Sequence, residues 1–246
     1  MAVYRRTRRW VGLSLLLSLA VAVAGGCATP PDDPEERADF EAANDPLEPT
    51  NRAIFAVNRA LDSVVIKPLS LAYRDALPES VRQSVHAFLL NASSPSIFVN
   101  DLLQGEGGRA ATTAGRFLLN TGLGFFGMFD VAGESGMPFH EKDLGQTFAL
   151  WGLPEGPYLM LPLFGPSSPR DTVGLGLELF LDPVGRVLVA TDHTAWSRGR
   201  LGVSIVDQRA MLLDESDKIE HSSLDLYATL RTIYRQSRAR AIRNAK

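Results

Sequence analysis

Residues 143–174, DLGQTFALWGLPEGPYLMLPLFGPSSPRDTVG, restrict what this chain can fold into more than any other stretch. The run is apolar and aromatic, with Phe148, Trp151, Tyr158, Leu159, Met160, Leu161, Leu163 and Phe164. Five prolines (Pro154, Pro157, Pro162, Pro166, Pro169) and four glycines after Leu150 interrupt it. Proline removes a backbone donor and breaks helix interiors, and glycine permits turns, so one long helix is excluded. The stretch reads as a hairpin-like or looped insert. Non-helical backbone this apolar is tolerated in or beside a bilayer only where protein covers it or where it lines a cavity. A cavity wall is therefore the expected role.

The chain opens with MAVYRRTRRW and continues into VGLSLLLSLAVAVAG, the basic head and apolar body of an export signal. The apolar run is short for a spanning helix, which needs about 20 residues, so cleavage is preferred over an uncleaved anchor. It ends at Ala24, Gly25, Gly26 and Cys27, the only cysteine. A lone cysteine in an exported chain has no disulfide partner. Small residues before it resemble a bacterial lipobox, so Cys27 is the expected lipidation site, carrying a diacylglycerol. Without residues 1–26, which hold four arginines and no acid, the 25 basic residues fall to 21 against 28 acidic ones, a net charge of −7. No nucleic acid partner is expected at that charge.

Residues 27–43 are acidic and proline-rich and read as a flexible tether, and residues 44–246 as a single domain. With 45% hydrophobic residues, twelve Phe and three Trp, a chain of this size is ordered. Asp45 is expected to cap a helix with Pro46 at its first position, and Ile54, Val57, Leu61 and Val64 recur at helical spacing. Lys67-Pro68 is expected to end that helix, Pro78-Glu79 to open the next, and Pro95 to start another short segment. Residues 109–120 read as a helix with a small-residue face. Helices are also expected at 170–181, 196–213 and from 218 to the end. No alternating strand precedes Gly122, so the fold class is mostly α.

Gly122, Gly124 and Gly127 match G-x-G-x-x-G by letter, but a helix precedes them and Leu123, Phe125 and Phe126 fill the gaps, which is the wrong context for a dinucleotide loop. Phe125, Phe126 and Phe129 instead belong to a bilayer-facing loop or a core plug. The C-terminal arginines suit either anionic headgroups or the dipole of a helix end. The four histidines stand apart, and 140–143 (HEKD) reads as a surface cluster rather than a metal site. There is no phosphate loop and no G-x-S-x-G elbow; Asp192-His193 with a distant serine is the faint hydrolase candidate. No cofactor and no catalytic residue are assigned.

Five blocks carry a family resemblance: NDPLEPTNRAIF from Asn44, FVNDLLQGE from Phe98, GRFLLNTGLGFFGMFDVA from Gly115, the block from Asp143 to Asp171, and SLDLYATLRTIYRQSR from Ser223. Together they resemble the MlaA (VacJ) family of outer-membrane lipoproteins, with Thr50 a departure where members commonly carry Phe. The resemblance implies a ring of helices around a central amphipathic channel, set in the inner leaflet of the outer membrane. It implies extraction of mislocalised phospholipid from the outer leaflet, handover to a periplasmic lipid-carrier protein, and association with a trimeric porin. On that reading Tyr158, Leu159, Leu161, Leu163 and Phe164 line the channel, unless they are ordinary core. Phe125, Phe126 and Phe129 then contact the membrane or the inner rim. A lipid-hydrolysing enzyme and a structural lipoprotein bracing a porin are the alternatives.

Overall fold

The computed structural model describes residues 28–245, so the expected leader and Cys27 lie outside the described residues. The elements are α1 (Pro34–Ala43), α2 (Glu48–Leu61), a π-helical turn (Asp62–Ile66), α3 (Lys67–Ala76), α4 (Glu79–Leu103), α5 (Gly107–Gly122), the single turn α6 (Val131–Glu134) and α7 (Leu144–Leu150). After them come β1 (Leu159–Leu161), β2 (Gly165–Ser167), α8 (Pro169–Leu181), α9 (Pro183–Ala190), α10 (Thr194–Met211), α11 (Leu213–Ser222) and α12 (Leu226–Arg243). The class is mostly α, as expected, with one small hairpin.

Two prolines, Pro68 and Pro95, act differently from the sequence reading, each for a local reason. Pro68 does not end the helical path. The preceding turn widens into a π turn, in which Lys67 N–H reaches back to Asp62 O, and that widening makes room for a ring that crowds the turn before it. Pro95 lies inside α4 rather than at a start. The hydroxyls of Ser93 and Ser94 both donate to Leu90 O, at 2.7 and 3.3 Å, supporting the turn where Pro95 supplies no N–H. Pro183 stops α8 and at once opens α9, with Asp182 accepting from Gly185 N at 3.0 Å as the cap. The expected tether also carries α1, and the last expected helix is two, α11 and α12, separated at Ser223.

Residues 143–174 are the looped insert that their prolines require: α7, a hairpin, then the start of α8. In the hairpin Leu159 stands opposite Ser167 and Leu161 opposite Gly165. The free edge of β1 is closed by side chains of α2. Asn51 donates to Tyr158 O (3.1 Å) and accepts from Met160 N (2.9 Å), while Asn58 donates to Leu161 O (2.8 Å) and accepts from Leu163 N (2.9 Å). Seven residues apart, the two amides share one helix face, and they act as a surrogate strand that satisfies an edge otherwise left open.

Packing contacts run in a closed circuit. The path from α2 through the π turn to α3 leans on α10, α10 on α4, α4 on α7, α7 on α12, α12 on β2, and the hairpin returns through β1 to α2. Arginines of α12 fasten this closure. Arg231 meets Asp45 and Glu48, Arg235 holds Ala42 O and Ala43 O, and Arg238 pairs in bidentate fashion with Asp143 and lies 2.7 Å from Asp171. Of the basic C-terminal residues, Arg235 and Arg238 thus serve internal pairing, neither of the two expected roles, whereas Arg240 and Arg243 lie in the last turn of α12, where cations meet the helix dipole. Asp45 is likewise not a helix cap: Leu47 takes that place, and the Asp45 carboxylate is buried between α2 and α12.

The polarity of the molecule is inverted relative to a water-soluble bundle. Among the described residues, eleven apolar side chains are buried against eighteen polar or charged ones. Large apolar side chains cover the outside of α2, the π turn, α4, α8, α9 and α10, including Val57, Val64, Phe88, Leu177 and Phe180. So many exposed large apolar side chains mark faces that meet something other than water.

Candidate functional site

Three adjoining cavities run along one face of α4. The first, about 380 Å³, lies between α3, α4, α5 and α10; the second, about 240 Å³, lies between α4, α8 and α10; the third, about 400 Å³, extends to the 139–143 loop. Leu90 borders all three. His86 and Asp207 are shared by the first and second, and Arg200, Asp182 and Leu179 by the second and third. Gln83, His86, Leu90 and Ser94 recur at three- and four-residue spacing, which puts them on one side of the helix. Apolar Leu90, Leu175, Leu179 and Phe139 alternate with charged and hydroxyl groups, so the run is amphipathic along its length.

Most of the charges bordering it are matched. Asp207, almost fully buried, accepts from Tyr73 OH at 2.9 Å and lies 2.8 Å from His86 Nδ1. Burial, reinforced by Asp207, pushes the Tyr73 hydroxyl up to about 12, so it keeps its proton and donates. Arg116, buried on α5, donates to both oxygens of Asp130 at 2.9 and 3.1 Å. Burial alone raises the Asp130 carboxyl, but hydrogen bonds from Asn120, Gly133 N and Arg116 outweigh it and hold the group below its ordinary range. Arg200 pairs with Asp182, the α9 cap.

Glu178 of α8 borders the third cavity and differs from these groups. It accepts from Leu144 N at 2.6 Å and from Asn100 at 3.3 Å. Burial pushes its carboxyl up to about 7, and nearby Asp143 adds to the shift against those two bonds. The folded-state value lies above the ordinary 4.5, so the associated stability is complete below pH 4.5 and is lost as pH rises towards 7. Wild-type unfolding free energy is expected to fall by about 1–3 kcal/mol more than that of Glu178→Gln between pH 4.5 and 8. Parallel denaturant midpoints for the two proteins over that range exclude this titration.

The expected lining residues lie elsewhere. Tyr158 is buried with Met160 and Tyr227 in a solid cluster that Ile54, Phe55 and Tyr234 flank, its ring 6.0 Å from Tyr227 and 6.1 Å from Tyr234. Leu159 and Leu161 are half-buried in β1, and Leu163 and Phe164 are exposed at the hairpin turn. None of the five borders the three cavities. Gln146, Thr147, Ser167 and Ser168, the polar side chains of the same insert, are buried in packed contacts.

Phe125, Phe126 and Phe129 are 66, 68 and 58% exposed, on the outside of the molecule rather than in a core plug. Phe125 and Phe126 both adopt positive φ (51° and 60°), a costly conformation for non-glycine residues. Their loop is nonetheless held tightly, by Gly127 N to Asn120 O at 2.7 Å, Phe129 N to Gly124 O at 2.9 Å and Asn91 to Thr121 Oγ1 at 2.9 Å. Gly127 packs against Asn91 where a β-carbon has no room. Strain is thus spent on presenting two phenyl rings outward.

Other sequence candidates resolve plainly. The 140–143 segment is not a surface cluster: His140 lies 3.0 Å from Asp101, and buried Lys142 donates to Gln104 and Glu106 at 2.7 Å. No group of metal-ligating side chains suited to an ion occurs among the described residues. The His193 ring contacts Thr191 rather than Asp192 or a serine. His86, Arg82, Asn91, Glu178 and Asp207 were missed; the available signal was polar residues at helical spacing beside apolar ones on the same helices.

Residues 43–241 match the model of the MlaA lipoprotein family. Proteins of Shigella flexneri and Escherichia coli strain K12, each named intermembrane phospholipid transport system lipoprotein MlaA, are 31% identical over 226 residues, covering 89% of this chain and 84% of theirs. An uncharacterized Rickettsia felis protein is 34% identical over 199 residues, 80% of this chain and 78% of that one. A solved structure from work on the structural basis for maintenance of bacterial outer membrane lipid asymmetry is similar with a TM-score of 0.70 and 33% identity, covering 80% of this chain and 98% of that chain.

Proposed function

The chain belongs to the MlaA lipoprotein family, and from that premise we propose that it moves phospholipids between membranes to maintain outer-membrane lipid asymmetry. It draws mislocalised phospholipid from the outer leaflet and passes it to a periplasmic carrier, held at the membrane by a diacylglycerol on Cys27 and accompanied by a trimeric porin. The observation that carries the reading is the inverted polarity: apolar side chains outward, charged side chains inward, and an amphipathic run of cavities along α4. Among the described residues no helix is long and apolar enough to cross a membrane. The exposed apolar faces support insertion from one side, with Phe125, Phe126 and Phe129 in contact with lipid.

A passage of this kind answers a definite barrier. Withdrawing two acyl chains of about thirty methylenes into water costs on the order of 20 kcal/mol at roughly 0.8 kcal/mol each. Apolar walls remove that cost, and the polar side chains among them replace part of the water around the charged headgroup. No covalent step is required, and this supports a carrier rather than a hydrolase.

Cells lacking the chain are expected to accumulate phospholipid in the outer leaflet, and the wild-type gene to restore asymmetry. Failure of the wild-type gene to do so overturns the transport reading. Phe125→Asp together with Phe126→Asp is expected to accumulate normally yet restore less than a tenth of the asymmetry. Full restoration by that variant removes the two phenylalanines from membrane contact and leaves transport itself standing.

A further inference from the structure

Three arginines border the first two cavities, and they are not equivalent. Arg116 is matched by Asp130 and Arg200 by Asp182, whereas Arg82 has no carboxylate within ion-pair distance among the described residues. Its Nε is buried without a hydrogen-bond partner. The same cavity holds a second orphan, Asn91 Oδ1, an acceptor buried without a donor. Buried polar groups left unmatched are uncommon in native proteins and call for an explanation in each case. The carboxylates bordering the cavity do not supply one: Asp207 is engaged by Tyr73 and His86, Asp130 by Arg116 and Asn120, and Glu79 by Gln83 at 3.1 Å. Arg82 therefore retains unused donors and a full positive charge at the wall of a cavity of about 380 Å³, a volume within the range of small-molecule sites, roughly 300–1,000 Å³.

We infer that this cavity is a phosphate subsite for a glycerophospholipid in transit, with Arg82 donating to the phosphodiester and Asn91 Oδ1 facing a donor of the headgroup. The guanidinium fork suits a phosphate geometrically and electrostatically. Apolar Ala87, Leu90, Phe139 and Met211 in the same cavity shield the glycerol end of the acyl chains. Leu90 continues into the next two cavities, so a lipid held at Arg82 has its chains directed along the amphipathic run. The inference rests on the transport reading and adds to it the group that recognises the headgroup.

The test is calorimetric titration of the full, lipidated chain in non-ionic detergent with dihexanoyl-phosphatidylethanolamine, dihexanoylglycerol, glycerophosphoethanolamine and inorganic phosphate. Arg82→Gln is expected to weaken the phospholipid about tenfold or more, the scale of one lost charge-assisted contact. Arg82→Lys is expected to stay within about threefold of wild type, and dihexanoylglycerol, which lacks phosphate, to bind wild type and Arg82→Gln alike. Since Arg82 makes no ion pair among the described residues, both variants are expected to keep the wild-type melting temperature. Equal phospholipid affinity in wild type and Arg82→Gln overturns the subsite. Binding of inorganic phosphate or glycerophosphoethanolamine as tight as that of the lipid overturns the lipid as its occupant. Either result leaves transport to be decided by asymmetry in cells; loss of the transport reading there leaves Arg82-dependent binding measurable here.

Discussion

Asp45→Ala is expected to destabilise the chain by about 3–5 kcal/mol, the cost of breaking a buried charged network from one side. The Asp45 side chain is 1% exposed. It accepts from Asn51 at 2.8 Å, Tyr227 OH at 2.5 Å and Arg231 at 2.8 Å. Removing it leaves Glu48, at 3.3 Å, as the one carboxylate paired with Arg231 among the described residues, and the Tyr227 hydroxyl buried without its acceptor. Burial, the largest cause of that hydroxyl's raised range, remains when the Asp45 hydrogen bond and charge are gone, so the hydroxyl does not ionise to relieve the loss. Asn51 also loses the partner that orients its amide towards β1, and the damage extends from the α2–α12 contact to the hairpin edge.

At roughly 2–4 °C per kcal/mol for a chain of this size, thermal unfolding is expected about 10 °C or more below wild type. Asp45→Asn keeps one acceptor oxygen and is expected to lose less. A shift under about 3 °C for Asp45→Ala means that the ring is closed by other contacts.

Helix content was legible because it depends on local spacing: Ile54, Val57, Leu61 and Val64 recur every three or four residues whichever way the helix is turned. Which way it turns was not legible from periodicity alone. Val57 and Val64 face outward, and the buried side of α4 and α5 is polar, with Asn91, Ser94, Asn100, Thr113, Arg116 and Asn120. A periodic stripe identifies a face; whether that face meets core or lipid depends on the surroundings. The inverse pattern, polar residues at helical spacing beside apolar ones, carried the missing signal.

Proline positions were read from intrinsic propensity, which tertiary structure overrode at Pro68 with a π turn and at Pro95 with two serine hydroxyls. The hairpin nature of 159–167 followed from its prolines and glycines, but the burial of Tyr158 depends on Tyr227, 69 positions away, and on Asn51, 107 positions away. Pairings over such separations leave no local trace in one sequence. The same holds for Arg238, whose partners Asp143 and Asp171 turn a basic tail into a clamp.

The second large effect concerns Leu90, which borders all three cavities along α4. If lipid passes along this face, Leu90 stands where any acyl chain must go by, and Leu90→Trp is expected to lower restoration of asymmetry at least tenfold. A tenfold loss needs only about 1.4 kcal/mol on the barrier to passage, less than the mismatch an indole imposes on a chain packed beside it. Overpacking costs about 1–3 kcal/mol where there is no room, but here the added ring projects into cavity, so accumulation and melting temperature are expected to stay near wild type. Leu90→Ala enlarges the same space and is expected to retain transport, which separates obstruction from loss of a contact. Outer-leaflet phospholipid in cells carrying each variant provides the measurement. Wild-type asymmetry with a folded Leu90→Trp protein places the lipid path away from α4, and the exposed hairpin turn at Leu163 and Phe164 becomes the surface to obstruct next.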